Sequence, residues 1–500
     1  MISITRKFTK RENCQREGFV RGTATLTKSR TLKPMAEDTV KGIATVESGL
    51  SSALAASTPD PLVSKEPPGE YKSYKRRWLV LALFVLYSAS NAMQWIQYSI
   101  IANVVHRYYG VSFLAIDWTS MIFMITYIPL IFPGSWILTK KGLRFTTLLG
   151  ALGTCLGAWV KVFSVAPDRF WVSFGGQSIV AVSQVFILSV PARLAAVWFG
   201  PKQVSSACAI GVFGNQLGVA SGFLLPPILV KNHDNLDDIG YDLSFMFYGV
   251  AIFTTILFVF LVIFFKAEPP TPPSAAQANR GSSGDDESVA EFVRTLVRLF
   301  KNGGYILLLL SYGINVGVFY ALSTLLNQIV IANFPGADSD AGTIGVCIVL
   351  AGMLGSLVCG IVLDKTHKFK ETTLIVYIFS FVGMILYSAT LGVGQIVIVY
   401  ITASALGFFM TGYLPVGFEF GAELTYPEAE GTTAGILNAF AQIFGVVFTL
   451  IYGWLFGEWG DMVANIFACA ALLVGVILTA VIKSDLRRQN ASKGPQNGAN

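Results

Sequence analysis

The stretch "GIVLDKTHK" spans Gly360–Lys368. It sets an acid, two lysines and a histidine between two long apolar runs. A second short basic stretch, "TKKGLR" (Thr139–Arg144), stands between two earlier apolar runs. Thr139 and Asp364 lie 225 residues apart, and each follows the second apolar run of a set of six. One polar loop at one offset in two sets of spans is the mark of an internal repeat.

The rest of the chain agrees. It has 500 residues, 53% hydrophobic and only 13% charged, with a mean hydropathy of +0.59. A soluble protein carries about 25% charged residues. A helix needs about 20 apolar residues to cross a bilayer, and about twelve such runs can be drawn. They cover 78–104, 115–138, 144–165, 170–197, 203–229 and 245–266, then 303–331, 340–363, 372–393, 395–421, 431–456 and 461–482. The runs are continuous rather than alternating, which excludes a β-barrel. The expected class is an all-α integral membrane protein of twelve transmembrane helices in two pseudo-symmetric six-helix halves.

The net charge of +6 does not point to nucleic acid, because the basic residues flank the apolar spans. With both termini in the cytoplasm, 32 of the 36 Lys and Arg fall on the inner side. The outer side keeps Arg107, Lys161, Arg169 and Lys231, as the positive-inside rule requires. The domain reading follows: 1–74 a disordered cytoplasmic tail, 75–266 the first half, 267–302 a linker, 303–482 the second half, 483–500 a cytoplasmic tail. The basic N-terminal start invites comparison with a transit peptide, but Glu12 and Glu17 interrupt it. A plasma-membrane location is therefore expected ahead of a mitochondrial one. The linker opens Pro/Ser/Gly-rich and closes on "SVAEFVRTLVRLF", whose apolar residues recur at helical spacing. It is either an amphipathic helix on the inner membrane surface or an extension of the seventh span.

"GIVLDKTHK" resembles the G-x-x-x-D-[RK]-x-G-[RK] loop of the major facilitator superfamily, with His367 in place of the second Gly. "TKKGLR" is a degenerate copy in which Thr139 replaces the acid. The resemblance implies that superfamily's twelve-helix fold.

The middle thirds of the spans hold almost no ionisable residues; Asp117, Lys161, Arg193, Glu419 and Glu423 fall toward span ends. Proton coupling normally needs a buried relay, so uniport is expected. No nucleotide loop, hydrolase elbow or zinc signature is present, so neither an enzyme nor a cofactor or metal site is expected. The six cysteines read as small packing residues. Gly214, Gly218 and Gly222, and Gly352 and Gly355, read as close helix contacts.

The polar residues inside the spans are amides and aromatics. Asn91, Gln94, Trp95, Gln97 and Tyr98 belong to the first span, Gln184 to the fourth, Gln216 to the fifth, Asn315 and Tyr320 to the seventh, and Gln442 to the eleventh. The repeat offset pairs Trp95 with Tyr320 and, within one residue, Gln216 with Gln442. Each alone could be an interfacial anchor or interhelical glue. Together they suit a cavity for a small cation, because aromatic faces attract a quaternary ammonium and amides bond a hydroxyl or amine. For gating, Arg193 and Glu419 also match by offset, so Arg193 is expected to pair with Glu419 or Glu423; Asp364 is a further candidate.

"NAMQWIQYSIIAN", "SQVFILSVPARLAAVWFGP", "VGVFYALSTLLNQ" and "GFEFGAELTYPEAEGTTAGILNAFAQIFG" resemble the feline leukaemia virus subgroup C receptor family, a branch of the major facilitator superfamily, over about residues 75–485. The resemblance implies transport of choline and ethanolamine. It implies that Trp95 and Tyr320 enclose the ammonium group and that Gln184 and Gln442 line the pocket. Haem, the substrate first ascribed to the family, is the alternative. The histidines His106, His233 and His367 are not central to any span, and the spans offer no basic cavity for a porphyrin. A non-transporting receptor or scaffold is a second alternative, which the short outer loops disfavour. The protein is expected to act as a monomer in the lipid bilayer.

Overall fold

In the computed structural model the described residues are 74–188, 190–200, 203–272, 289–428 and 430–487. The tail expected at 1–74, apart from Tyr74, most of the early linker and Asn490–Ser492, an Asn-Ala-Ser glycosylation sequon, lie outside them.

Among the described residues, twelve helices are long and apolar enough to cross a membrane. In the first half they are Arg76–Ile96, Phe113–Leu138, Lys140–Val162, Phe170–Leu188 continued by Val190–Trp198, Val204–Leu229 and Leu236–Phe264. In the second half they are Gly303–Asn333, Asp338–Thr366, Phe369–Leu391, Ile396–Thr425, Glu430–Trp459 and Asp461–Val481. Helix is forced on such runs because lipid offers the backbone no hydrogen-bond partner. The sixth span shows the outward side of the arrangement, with Ile252, Ile256, Val259 and Ile263 all exposed. In lipid that exposure is no cost.

Glycines set the closest crossings. A methyl at Gly218 would lie 2.6 Å from Ala89 Cα, and one at Gly222 would lie 2.6 Å from Met93 O. The fifth span thus lies directly on the first, backbone to backbone. Gly352 meets the side chain of Thr411, joining the eighth span to the tenth.

Three local features differ from the sequence expectation. The first span is not one rod. Its α-helix ends at Ile96, a 3₁₀ turn covers Ser99–Ile101, and a short helix Ala102–Tyr109 ends at Gly110, whose φ of 63° suits glycine. The sixth span begins at Leu236, not near 245, because Asn235 Oδ1 accepts from Asp237 N and caps it. The loop between the fifth and sixth spans is correspondingly shorter. The linker ends in a separate helix, Val289–Lys301, rather than an extension of the seventh span: Asn302 leaves helical geometry and its side chain caps Tyr305 N. Arg298 fastens this helix to the loop after the tenth span through two bonds to Glu428, 2.5 and 3.0 Å.

The linker helix defines a near face of the bundle. The opposite, far face carries the loop between the first and second spans. There four hydrogen bonds join the halves. Gln328 Nε2 donates to Asp117 Oδ1 (2.8 Å), and Ser120 Oγ meets Thr324 Oγ1 (3.0 Å). Asn103 donates from its backbone to Asn327 Oδ1 (3.2 Å) and from Nδ2 to Asp338 Oδ1 (2.5 Å).

Candidate substrate site

Between the halves lies a cavity of about 200 Å³. The first span lines it with Ser88, Ala92 and Trp95, positions that share one helix face at spacings of four and three. The seventh answers with Tyr312, Val316, Phe319 and Tyr320. Phe123 and Met124 come from the second span, Gln184 and Pro191 from the fourth and its continuation, Asn215 and Gln216 from the fifth, Thr411 and Phe418 from the tenth, and Asn438 and Gln442 from the eleventh. Among the described residues, none that lines it is charged.

Trp95 and Tyr320 meet edge to face, with centroids 5.8 Å apart and planes at 78°. Gln442 Nε2 donates to the Tyr320 hydroxyl at 3.4 Å. Tyr320 has room because residue 445 is glycine: a methyl there would lie 2.8 Å from Tyr320 Cδ2 and 2.9 Å from Met124 Sδ. The structure therefore brings Trp95, Tyr320, Gln184, Gln216 and Gln442 to one cavity.

Five other expected lining residues are elsewhere; for Gln94 helical phase is the reason. Asn91 is fully buried inside the first half and donates to Thr154 Oγ1 (3.0 Å) and Val180 O (3.2 Å). Gln94 points away from the cavity and accepts from Lys161 Nζ at 2.9 Å. Gln97 and Tyr98 are buried beyond the helix end, with the Tyr98 hydroxyl on Ser173 Oγ. Asn315 of the seventh span is fully buried and is not among the lining residues.

Asp117 and Lys161 stand near span ends, as read, yet they are 3% and 1% exposed. Each is held by an amide, Gln328 and Gln94, and neither lines the cavity. Arg193 is half-buried near the cavity's near end, Glu419 is half-buried and Glu423 is buried in the tenth span. All three are engaged with neighbouring groups. The side chain of Asp364 lies outside the described residues.

Sequence reading missed Asn215, Tyr312, Thr411, Phe418 and Asn438. Only Tyr312 carried a usable signal, since Tyr87 is its partner at the repeat offset of 225. That signal does not discriminate, because Tyr87 itself is outside the cavity lining.

A two-half bundle of twelve membrane helices around a central uncharged cavity is the architecture of a membrane carrier. The Major Facilitator Superfamily family model matches residues 83–447, and the chain belongs to that superfamily. The D-xylose-proton symporter structure shares the fold, with a TM-score of 0.62 at 11% identity over 82% of this chain and 98% of that one. Within the superfamily the chain belongs to the feline leukaemia virus subgroup C receptor family. It is 53% identical to the choline/ethanolamine transporter flvcr2b of Danio rerio, over 85% of this chain and 88% of that protein. It is 51% identical to the choline/ethanolamine transporter FLVCR2 of Homo sapiens, over 84% of this chain and 80% of that protein.

Proposed function

We propose that this chain is a facilitative carrier of choline and ethanolamine that works by alternating access. The observation that carries the reading is the meeting of Trp95 and Tyr320, one from each half, in a cavity with no charged lining residue. The names of the relatives support the same substrates. The ring faces hold the ammonium, an interaction worth about 2 kcal/mol or more when desolvated. Gln184 and Gln442 bond the hydroxyl end. Ethanolamine leans less on the rings and more on the amides.

In this reading the far face is the outer one and both termini are cytoplasmic, in the plasma membrane. The four bonds at the far face then close the outer entrance. Opening it requires a competing closure on the inner side, for which Arg193 with Glu419 or Glu423 is the proposed pair. Asp117 and Lys161 bond amides and stand off the cavity, so transport is uniport. The membrane potential draws a cation inward by about 2.3 kcal/mol per 100 mV.

Haem fits less well. A drug-sized ligand occupies pockets of about 300–1,000 Å³, and this cavity has about 200 Å³, with no histidine and no basic residue in its lining.

Uptake of labelled choline at two external pH values, membrane potential held fixed, tests the uniport reading. Equal rates support it, and a rate that tracks the proton gradient contradicts it.

A further inference from the structure

Lys161 is buried in the third span, 1% exposed. Among the described residues the only polar partner of its ammonium is Gln94 Oε1, at 2.9 Å. The Tyr98 ring lies under it, 5.5 Å from Nζ to the centroid. An ammonium in lipid-depth protein without a carboxylate is costly. A methionine would fill the same space without that cost.

The surroundings are built to admit the lysine. Its stem runs over Gly176 of the fourth span, where a methyl would lie 2.8 Å from Lys161 Cγ. Beside that glycine, Gln177 Nε2 donates to Gln94 O (2.7 Å) and to Thr119 O (3.1 Å). Gln94 is therefore gripped twice, by its side chain from the third span and by its carbonyl from the fourth.

That grip falls where the first span breaks. The α-helix ends at Ile96, so the carbonyls of its last turn lose their helical partners. Gln94 O is one of them, and Gln177 satisfies it. Trp95 is the next residue, inside this last turn. Without an outside hold the turn would fray and the indole would lose its fixed angle.

We propose that Lys161 is a positioning residue for the cation cage: by gripping Gln94 it sets the angle at which Trp95 faces Tyr320. The inference rests on the reading that Trp95 holds the ammonium group.

The test is equilibrium binding of radiolabelled choline to the purified full-length protein in lipid nanodiscs. Lys161→Met and Gln94→Leu should each raise the Kd about tenfold, the effect of losing one buried hydrogen bond. The double variant should be no weaker than either single one, because both remove the same contact. Gln94→Glu, which gives Lys161 a charged acceptor, should regain at least half of the lost affinity. A purely structural role would lower the yield of folded protein and leave Kd alone. If Lys161→Met does not fold, the comparison of Gln94→Leu with Gln94→Glu carries the test, and equal Kd values in those two overturn the proposal. Wild-type Kd in Lys161→Met, or effects that multiply in the double variant, also overturn it. Trp95→Ala separates the two levels. If wild type binds, Trp95→Ala does not and the Lys161 and Gln94 variants bind normally, only this inference fails. If wild type does not bind, or Trp95→Ala binds as well as wild type, the cage reading fails and takes this inference with it.

Discussion

Trp95 and Tyr320 come from different halves of the bundle and touch edge to face, ring centroids 5.8 Å apart. The contact bridges the interface along which the halves must move. Any rocking of one half against the other changes the angle between the two rings. On the proposed reading, substrate bound there would sense the conformational state, because a ligand shifts an equilibrium only by such differential contact.

The two substrates should respond differently to loss of an amide. Gln442 lines the cavity and bonds the Tyr320 hydroxyl. Gln442→Leu is expected to raise the KM for ethanolamine by about tenfold, the size of one lost polar contact. The KM for choline, held more by the rings, should rise about threefold or less. Parallel uptake curves for the two substrates check this. An equal loss for both would show that Gln442 does not discriminate between them.

Gly445 is where a single methyl should disturb the cage. Added there, it would press on Tyr320 and Met124 at 2.8 and 2.9 Å. Overpacking of a filled site costs about 1–3 kcal/mol. Gly445→Ala should therefore reach the surface yet transport poorly, with most of the loss in KM. Surface-normalised kinetics would read it, and a wild-type KM would mean that Tyr320 can yield without consequence.

The far-face seal can be weakened at one atom. Asp117→Ala leaves the buried amide of Gln328 without its partner, at a cost of about 1–3 kcal/mol to the closed outer entrance. The population should move toward outer opening. Modification of a single cysteine at Val316, a cavity position, by an impermeant outer reagent should speed up. Unchanged labelling would show that the other bonds between the halves suffice.

Membrane placement is also testable. A glycosylation acceptor inserted between Asn232 and Asn235 should be modified in cells if the far face is outside. The natural sequon at Asn490 should stay bare. Modification of Asn490 instead would invert the topology.

The twelve spans and the repeat were legible because length and hydropathy decide them, and the two loops at one offset decide the pairing of halves. Trp95, Tyr320 and Gln442 were legible for the same reason: symmetry selects positions near the interface. The face of each polar residue was not legible. Gln94 and Trp95 are neighbours in sequence, but only Trp95 sits in phase with Ser88 and Ala92. A run that looks like one polar cluster is divided by the helix between cavity and core. The burial of Lys161 was not legible either. The sequence shows only its position near a span end. The Gly176 notch that takes it inward is visible only when the third and fourth spans are placed together.

The most direct test of the carrier reading is uptake of radiolabelled choline by cells expressing this chain, beside Trp95→Ala and Tyr320→Ala proteins at matched surface level. The account predicts saturable uptake by the wild type that falls at least about tenfold in both variants, since each loses a contact worth about 2 kcal/mol. Wild-type protein at the surface with no uptake, or variants that transport as well as wild type, would contradict it.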